Sequence, residues 1–251
     1  MRRRLITEVV LILAVTFGGS GVRAVLRLVD SLLTAPLNEQ STTLIDAAST
    51  TTWLDLALQA TSALTLIGWG GLAWYLLRVS WCWPSWKNVA RGAGFAALIG
   101  LPGLALYIAG VHLGLSKVVV PATEAVQIPT SVIWAFANGF GEEVVVVMYL
   151  LIRLRQLGWK PWQAIAASSV LRGSYHLYQG VSAGVGNLVM GLVFAYYFHR
   201  GSRESRSAPG EPAEPGEHET KRVWPLVIAH FLIDAVAYIA YPLLDLSFLG
   251  I

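Results

Sequence analysis

Apolar runs dominate the chain, and they are longer than the strands or core helices of a water-soluble fold require. No Asp, Glu, Lys or Arg occurs across 56–77 or across 92–116. Crossing about 30 Å of hydrocarbon takes roughly 20 helical residues, so both windows are expected to span a membrane. Further apolar windows carrying a few ionisable residues lie at 131–152, 161–181, 183–199 and 223–244. The first run, 5–22, follows Arg2, Arg3 and Arg4 as the core of a signal peptide would. Glu8 interrupts it, however, and no small-x-small cleavage pattern follows, so it is read as a retained first span. The expectation is an all-α, polytopic transmembrane helical bundle of about seven helices.

Two segments stand outside this pattern. Val22, Val25, Leu26, Val29, Leu32 and Leu33 recur at helical spacing until Pro36 halts them, which predicts a surface-lying amphipathic helix within 23–52. The stretch 201–220 is rich in Pro, Gly, Ser and Glu without apolar periodicity, as a disordered cytoplasmic loop would be. No internal repeat and no second domain is visible. Residues 1–251 are therefore taken as a single integral membrane domain, with a flexible loop at 200–222 and core helices at 131–244.

Composition agrees: 55% of the 251 residues are hydrophobic and only 13% charged, with a mean hydropathy of +0.58. Basic residues fix the expected orientation, because Lys and Arg near helix ends stay in the cytoplasm. With the N-terminus inside, Arg78, Lys87, Arg91, Arg153, Arg155, Lys160, Arg200, Arg203, Arg206, Lys221 and Arg222 join the first three arginines there, and only Arg23, Arg27 and Lys117 fall outside. The pI near 9.1 then needs no nucleic-acid partner, and a plasma-membrane location is expected. Cys82 is the single cysteine, which excludes an internal disulfide and a thiolate metal cluster. It lies in Trp81-Cys82-Trp83-Pro84, read as an interfacial turn.

A charge at mid-bilayer costs roughly 2.5–3.5 kcal/mol even on insertion scales, so the ionisable residues within spans mark a functional site. They are Glu142 and Glu143, Arg172 and His176, and His230 and Asp234. The last two pairs are spaced i, i+4 and share a helix face; the adjacent glutamates diverge by about 100°. Such groups should converge on a polar pocket between helices. Three chemistries suit them: a carboxylate that takes a proton from water with an imidazole assisting, a zinc site, or a proton or cation pathway.

In Glu142-Glu143-Val144-Val145-Val146-Val147, Arg172-Gly173-Ser174-Tyr175-His176 and His230-Phe231-Leu232-Ile233-Asp234, the chain resembles the CAAX-protease and bacteriocin-processing family of intramembrane glutamic endopeptidases. That family's motifs are EExxxR, FxxxH and His followed four residues later by Asn or Asp. The resemblance implies Glu142 as general base, His176 as its assistant, Glu143 in support, and His230 with Asp234 at the oxyanion. It implies no cofactor, no bound metal, and a peptide or protein substrate entering from the membrane or the cytoplasmic side. Two positions depart from the pattern: Val147 stands where the family has Arg, and Arg172 where it has Phe. Arg172 is therefore expected to replace the missing guanidinium and pair with Glu143 or Asp234. Asp234 poses its own problem, since an ionised carboxylate would repel an oxyanion. It must be neutral, or else orient His230.

The remaining candidates are weaker. His112 reads as interfacial, and His199 and His218 lie in or beside the polar loop. No HExxH occurs, which excludes an ordinary zincin. Gly184, Gly186 and Gly191 are expected to let helices approach, Asn187 to make an interhelical contact, and Tyr175, Tyr178 and Gln179 to line a groove. The rival to an endopeptidase is an inactive scaffold or a proton or ion transport protein built on the same buried groups.

Overall fold

Apolar runs become helices wherever the chain can satisfy its own backbone, which hydrocarbon demands. A computed structural model describes residues 2–120, 128–204 and 216–240. Its helices are α1 (Arg2–Val15), α2 (Phe17–Thr34), α3 (Thr52–Leu77), α4 (Trp86–His112), α5 (Ile128–Glu142), α6 (Leu150–Gln156), α7 (Pro161–His176), α8 (Val181–Glu204) and α9 (Glu217–Ala235). A π-helical segment, Glu143–Tyr149, joins α5 to α6 without a break, and a second, Val236–Ala240, extends α9. Two three-residue strands, β1 (Ser41–Thr43) and β2 (Val118–Val120), pair in parallel with Ser41 opposite Val118. Sequence reading foresaw neither strand.

By length and composition, five helices among the described residues can cross a membrane, and six if the bent pair α1 and α2 counts as one span, against the expected seven. The window at 161–181 yields the 16-residue α7, which rises only about 24 Å. The expected continuous span 5–22 is broken at Thr16, where the chain bends by 47°. There the buried Thr16 hydroxyl donates to the Ile12 carbonyl at 2.7 Å, a back-bond that bends helices.

The helix foreseen within 23–52 starts earlier, at Phe17, and ends at Thr34, just before Pro36. Its face of Phe17, Gly21, Ala24 and Ser31 is buried, and α2 packs against α7. Val22, Val25, Leu26, Val29, Leu32 and Leu33 point away from the protein. A second boundary also moved. The loop expected over 200–222 is helical at both margins, through Glu204 in α8 and from Glu217 in α9; residues 205–215 lie outside the described residues. Glu219 caps the start of α9 by accepting from the Gly216 N–H at 3.0 Å, and acidic residues in a first turn suit the helix dipole.

The central element is the continuous helix Ile128–Gln156, in whose apolar 18-residue window 89% of the residues are buried inside the protein. Glycine lets its neighbours close in. A Cβ at Gly139 would lie 2.9 Å from the Val227 carbonyl of α9, and one at Gly141 would lie 2.9 Å from the Leu66 carbonyl of α3. Of the three glycines expected to permit close approach, Gly184 meets Gly173 of α7 and Leu177 just after it, Gly191 meets Ser169 of α7, and Gly186 meets Leu106 of α4.

Contacts at the helix ends gather the basic residues on one side. Trp224 Nε1 donates to the Cys82 carbonyl at 2.7 Å, Asn88 Nδ2 to the Lys221 carbonyl at 2.8 Å, and Arg153 Nη2 to the Leu76 carbonyl at 2.6 Å. The turn after α3, the start of α9 and the end of α6 therefore share one end with Arg78, Lys87, Arg155 and Lys160. Lys117 is at the other end, where its N–H donates to the Gln179 carbonyl at 3.0 Å and the hydroxyls of Ser116 and Ser182 meet.

Candidate active site

Glu142 sits at the midpoint of the 29-residue helix Ile128–Gln156, where the backbone widens from α to π. Single π-turns inside α-helices often mark functional sites. The widening reorients carbonyls, and Ser168 of α7 donates its hydroxyl to one of them, Val146, at 2.7 Å. The adjacent glutamates then serve different partners.

Glu142 faces α7. Its Oε2 accepts from the Tyr175 hydroxyl at 2.6 Å and lies 3.7 Å from His176 Nε2 and 4.0 Å from Arg172 Nη1. Glu143 points between α7 and α9. Its Oε1 accepts from Arg172 Nη2 at 2.6 Å and meets His230 Nδ1 at 2.7 Å. A carboxylate oxygen that already takes the Arg172 hydrogen bond can only accept, so Nδ1 of His230 carries the hydrogen. His230 Nε2 is left facing Asp234 Oδ1 at 3.6 Å.

All six groups singled out from the sequence thus form one run of contacts: His176, Glu142, Arg172, Glu143, His230 and Asp234. The guanidinium of Arg172 pairs with Glu143, one of its two expected partners, and both side chains are 0% exposed. Its Cζ lies 5.6 Å from the centre of the Phe194 ring, which covers it from α8.

The run closes because α9 begins early. On the sequence windows His176 lies several residues deeper than His230. Starting α9 at Glu217 instead of 223 adds six residues, or about 9 Å, and brings the imidazoles to the level of the two glutamates.

Two participants, Asn138 and Tyr238, escaped the sequence reading, and Tyr175 was given a different role there. Tyr175, expected to line a groove, is buried and donates to Glu142, with its ring 5.0 Å from Phe17 of α2. Asn138, one turn before Glu142, donates from Nδ2 to Asp234 Oδ2 at 3.0 Å and to the Tyr238 hydroxyl at 2.8 Å. Tyr238 in turn donates to Asp234 Oδ2 at 3.0 Å. The i−4 spacing from Glu142 and the i+4 spacing from Asp234 were the available signals.

The other candidates have hydrogen-bond partners of their own or lie at helix ends. Asn187 donates to the Ala183 carbonyl of its own helix at 3.1 Å, so its hydrogen bond is local rather than interhelical. Gln179 donates to the Tyr178 hydroxyl at 2.8 Å. His112 is exposed at the end of α4. Cys82 lies in the turn between α3 and α4, where burial and then the Glu217 carboxylate push its thiol up, away from the thiolate a nucleophile needs.

The arrangement has the parts for water activation. Buried polar atoms are nearly always hydrogen-bonded, yet Arg172 Nε and Nη1, His176 Nδ1 and Nε2, and Glu143 Oε2 have no such partner. Two of them, His176 Nε2 and Arg172 Nη1, lie 3.7 and 4.0 Å from Glu142 Oε2, so a polar guest group beside that carboxylate would find donors in reach. Among the described residues no group of three His, Cys, Asp or Glu is arranged to hold a metal ion.

Residues 124–236 match the family model described as Type II CAAX prenyl endopeptidase Rce1-like. The matched stretch contains all six groups and reaches the end of α9. Comparison with curated proteins and with solved structures returned no match.

Proposed function

We propose, from the premise that residues 124–236 are an Rce1-like segment of the CAAX-protease and bacteriocin-processing family, that this chain hydrolyses a peptide bond with water activated by Glu142 and His176. A CAAX-protease-like membrane endopeptidase follows from the family; the division of labour is our reading. The observation that carries it is the mid-span convergence of Glu142, Arg172–Glu143 and His230 from three helices.

Glu142 takes a proton from the attacking water while His176, 3.7 Å away, orients that water. The water oxygen bonds to the carbonyl carbon of the substrate. His230 donates from Nε2 to the oxygen that becomes negative. On collapse of the tetrahedral species the C–N bond breaks, and the proton held by Glu142 passes to the leaving amine. No covalent enzyme intermediate forms. Arg172 balances Glu143 so that Glu143 can hold His230 through Nδ1, in place of the Arg absent at Val147. Asp234 orients His230.

The whole chain is taken to act as one membrane unit, with the basic end in the cytoplasm, the N-terminus inside and the plasma membrane as its location. The substrate is a peptide or protein reaching the site from the bilayer or from the cytoplasmic side.

The test is to reconstitute the protein in vesicles and supply an internally quenched, farnesylated peptide ending in a CAAX sequence, in water enriched with oxygen-18. The reading expects cleavage, with one heavy oxygen in the new carboxyl group and a rate that survives 1,10-phenanthroline. Loss of activity on chelation with recovery on added zinc would replace the glutamic mechanism with a metal-dependent one. Failure to cleave any prenylated or plain peptide would favour the scaffold or transport reading.

A further inference from the structure

The motif pattern assigns nothing to Asn138 or Tyr238, yet both converge on Asp234. One oxygen of that carboxylate, Oδ2, accepts from Asn138 Nδ2 at 3.0 Å and from the Tyr238 hydroxyl at 3.0 Å. The amide's second hydrogen goes to Tyr238 Oη at 2.8 Å. The other oxygen, Oδ1, is turned to His230 Nε2 at 3.6 Å.

Local structure explains why the three meet. Gly139, next to Asn138, lets α5 cross α9 so closely that a Cβ there would lie 2.9 Å from the Val227 carbonyl and 3.1 Å from the Phe231 N. Tyr238 belongs to the π-segment Val236–Ala240, which follows Asp234 by one turn and returns its hydroxyl over the carboxylate.

Two donors on Oδ2 make that oxygen an acceptor and leave Oδ1 as the one turned to His230. At 3.6 Å Oδ1 is beyond hydrogen-bond reach but near enough to favour a charged imidazole. Glu143 faces the opposite nitrogen, and Arg172 lies behind Glu143.

We propose that Asn138 and Tyr238 are positioning residues: they clamp Asp234 by Oδ2 so that Oδ1 keeps a hydrogen on His230 Nε2 without taking it up, leaving it for the oxyanion. This rests on the endopeptidase reading for its purpose, though its effect on His230 stands apart from turnover.

The deciding variant exchanges the two groups, Asn138→Asp with Asp234→Asn. The amide–carboxylate pair and Tyr238 survive, while the negative charge moves from beside His230 to α5. Tyr238→Phe is the milder companion, leaving one of the two donors on Oδ2. Each is placed in nanodiscs and followed by unfolding, by kcat and KM on the farnesylated CAAX peptide, and by nitrogen-15 spectra of labelled histidines, with His230→Gln assigning the resonance. The exchange is expected to unfold with the parent, lose roughly a hundredfold in kcat with KM little changed, and move the His230 Nε2 signal from its protonated to its unprotonated position. Tyr238→Phe should show a smaller shift in the same direction. An exchange variant with parental kcat and an unmoved His230 signal would reduce the clamp to a tie between helices. If the parent cleaves nothing, the endopeptidase reading fails separately, and the His230 spectra alone decide the clamp.

Discussion

Replacing Arg172 with methionine keeps an unbranched side chain against Phe194 but strips the charge from a pair whose members are both 0% exposed. Removing one partner of such a pair generally costs about 3–5 kcal/mol. The low end applies here, because Glu143 keeps the His230 Nδ1 hydrogen bond at 2.7 Å, so we expect about 3 kcal/mol. Glu143→Gln should cost a similar amount by leaving Arg172 with Glu142 alone, 4.0 Å away. In the double variant no buried charge is stranded between these positions, and the amide oxygen introduced by Glu143→Gln still accepts from His230. Its loss should therefore be about 3 kcal/mol rather than the sum of about 6, a coupling near 3 kcal/mol. Unfolding by SDS in mixed micelles, followed by tryptophan fluorescence, measures all three. Losses that add to within about 0.5 kcal/mol would mean that Arg172 and Glu143 are not energetically linked, and the proposed substitution for the missing Arg at Val147 would fall.

Four further outcomes follow from the same contacts. Gly139→Ala puts a Cβ against backbone atoms of α9 and should destabilise by about 1–3 kcal/mol, whereas Gly71→Ala, with open space around it, should cost nothing in the same unfolding assay. Glu8→Ala removes the acceptor of Arg153 Nε at 2.8 Å and of the Tyr149 hydroxyl at 3.0 Å. It should cost about 2 kcal/mol, against less than about 0.5 for the exposed Thr7→Ala; equal effects would show that α1 is not held through Glu8. Tyr175→Phe deletes the 2.6 Å donor to Glu142 and should lower kcat about tenfold on the farnesylated peptide, and an unchanged kcat would remove Tyr175 from the machinery. Finally, reporter fusions or cysteine labelling at Trp83 should place the turn after α3 in the cytoplasm; labelling from outside would reverse the proposed orientation.

How much of this could be read from the chain depended on cost. Ionisable groups in apolar windows stand out because burial is expensive, and all six do meet. Asn138 and Tyr238 carry no charge and so raised no alarm, and Tyr175 was read only as lining a groove, although all three sit one turn from a site residue or next to one. Boundaries were less legible. The acidic residues Glu217 and Glu219 looked like loop composition but act as the first turn of α9, which shifted the depth of His230. The break at Thr16 depends on a side chain bonding its own helix, and the π-segment on a change of hydrogen-bond partner that no residue type encodes. Val144–Val147 hinted at it only as a run of β-branched residues that suit helices poorly. The ion pair of Glu8 with Arg153 joins residues far apart in sequence, so Glu8 could be noticed but not matched.

The sharpest measurement compares the parent protein with Glu142→Gln and His176→Asn, each reconstituted in vesicles and given the farnesylated CAAX peptide, with unfolding recorded on the same samples. Water activation by Glu142 expects the parent to turn over, Glu142→Gln to lose at least about a hundredfold in kcat and His176→Asn to fall nearly as far, while all three unfold alike. Turnover by a properly folded Glu142→Gln protein at the parental rate would contradict it.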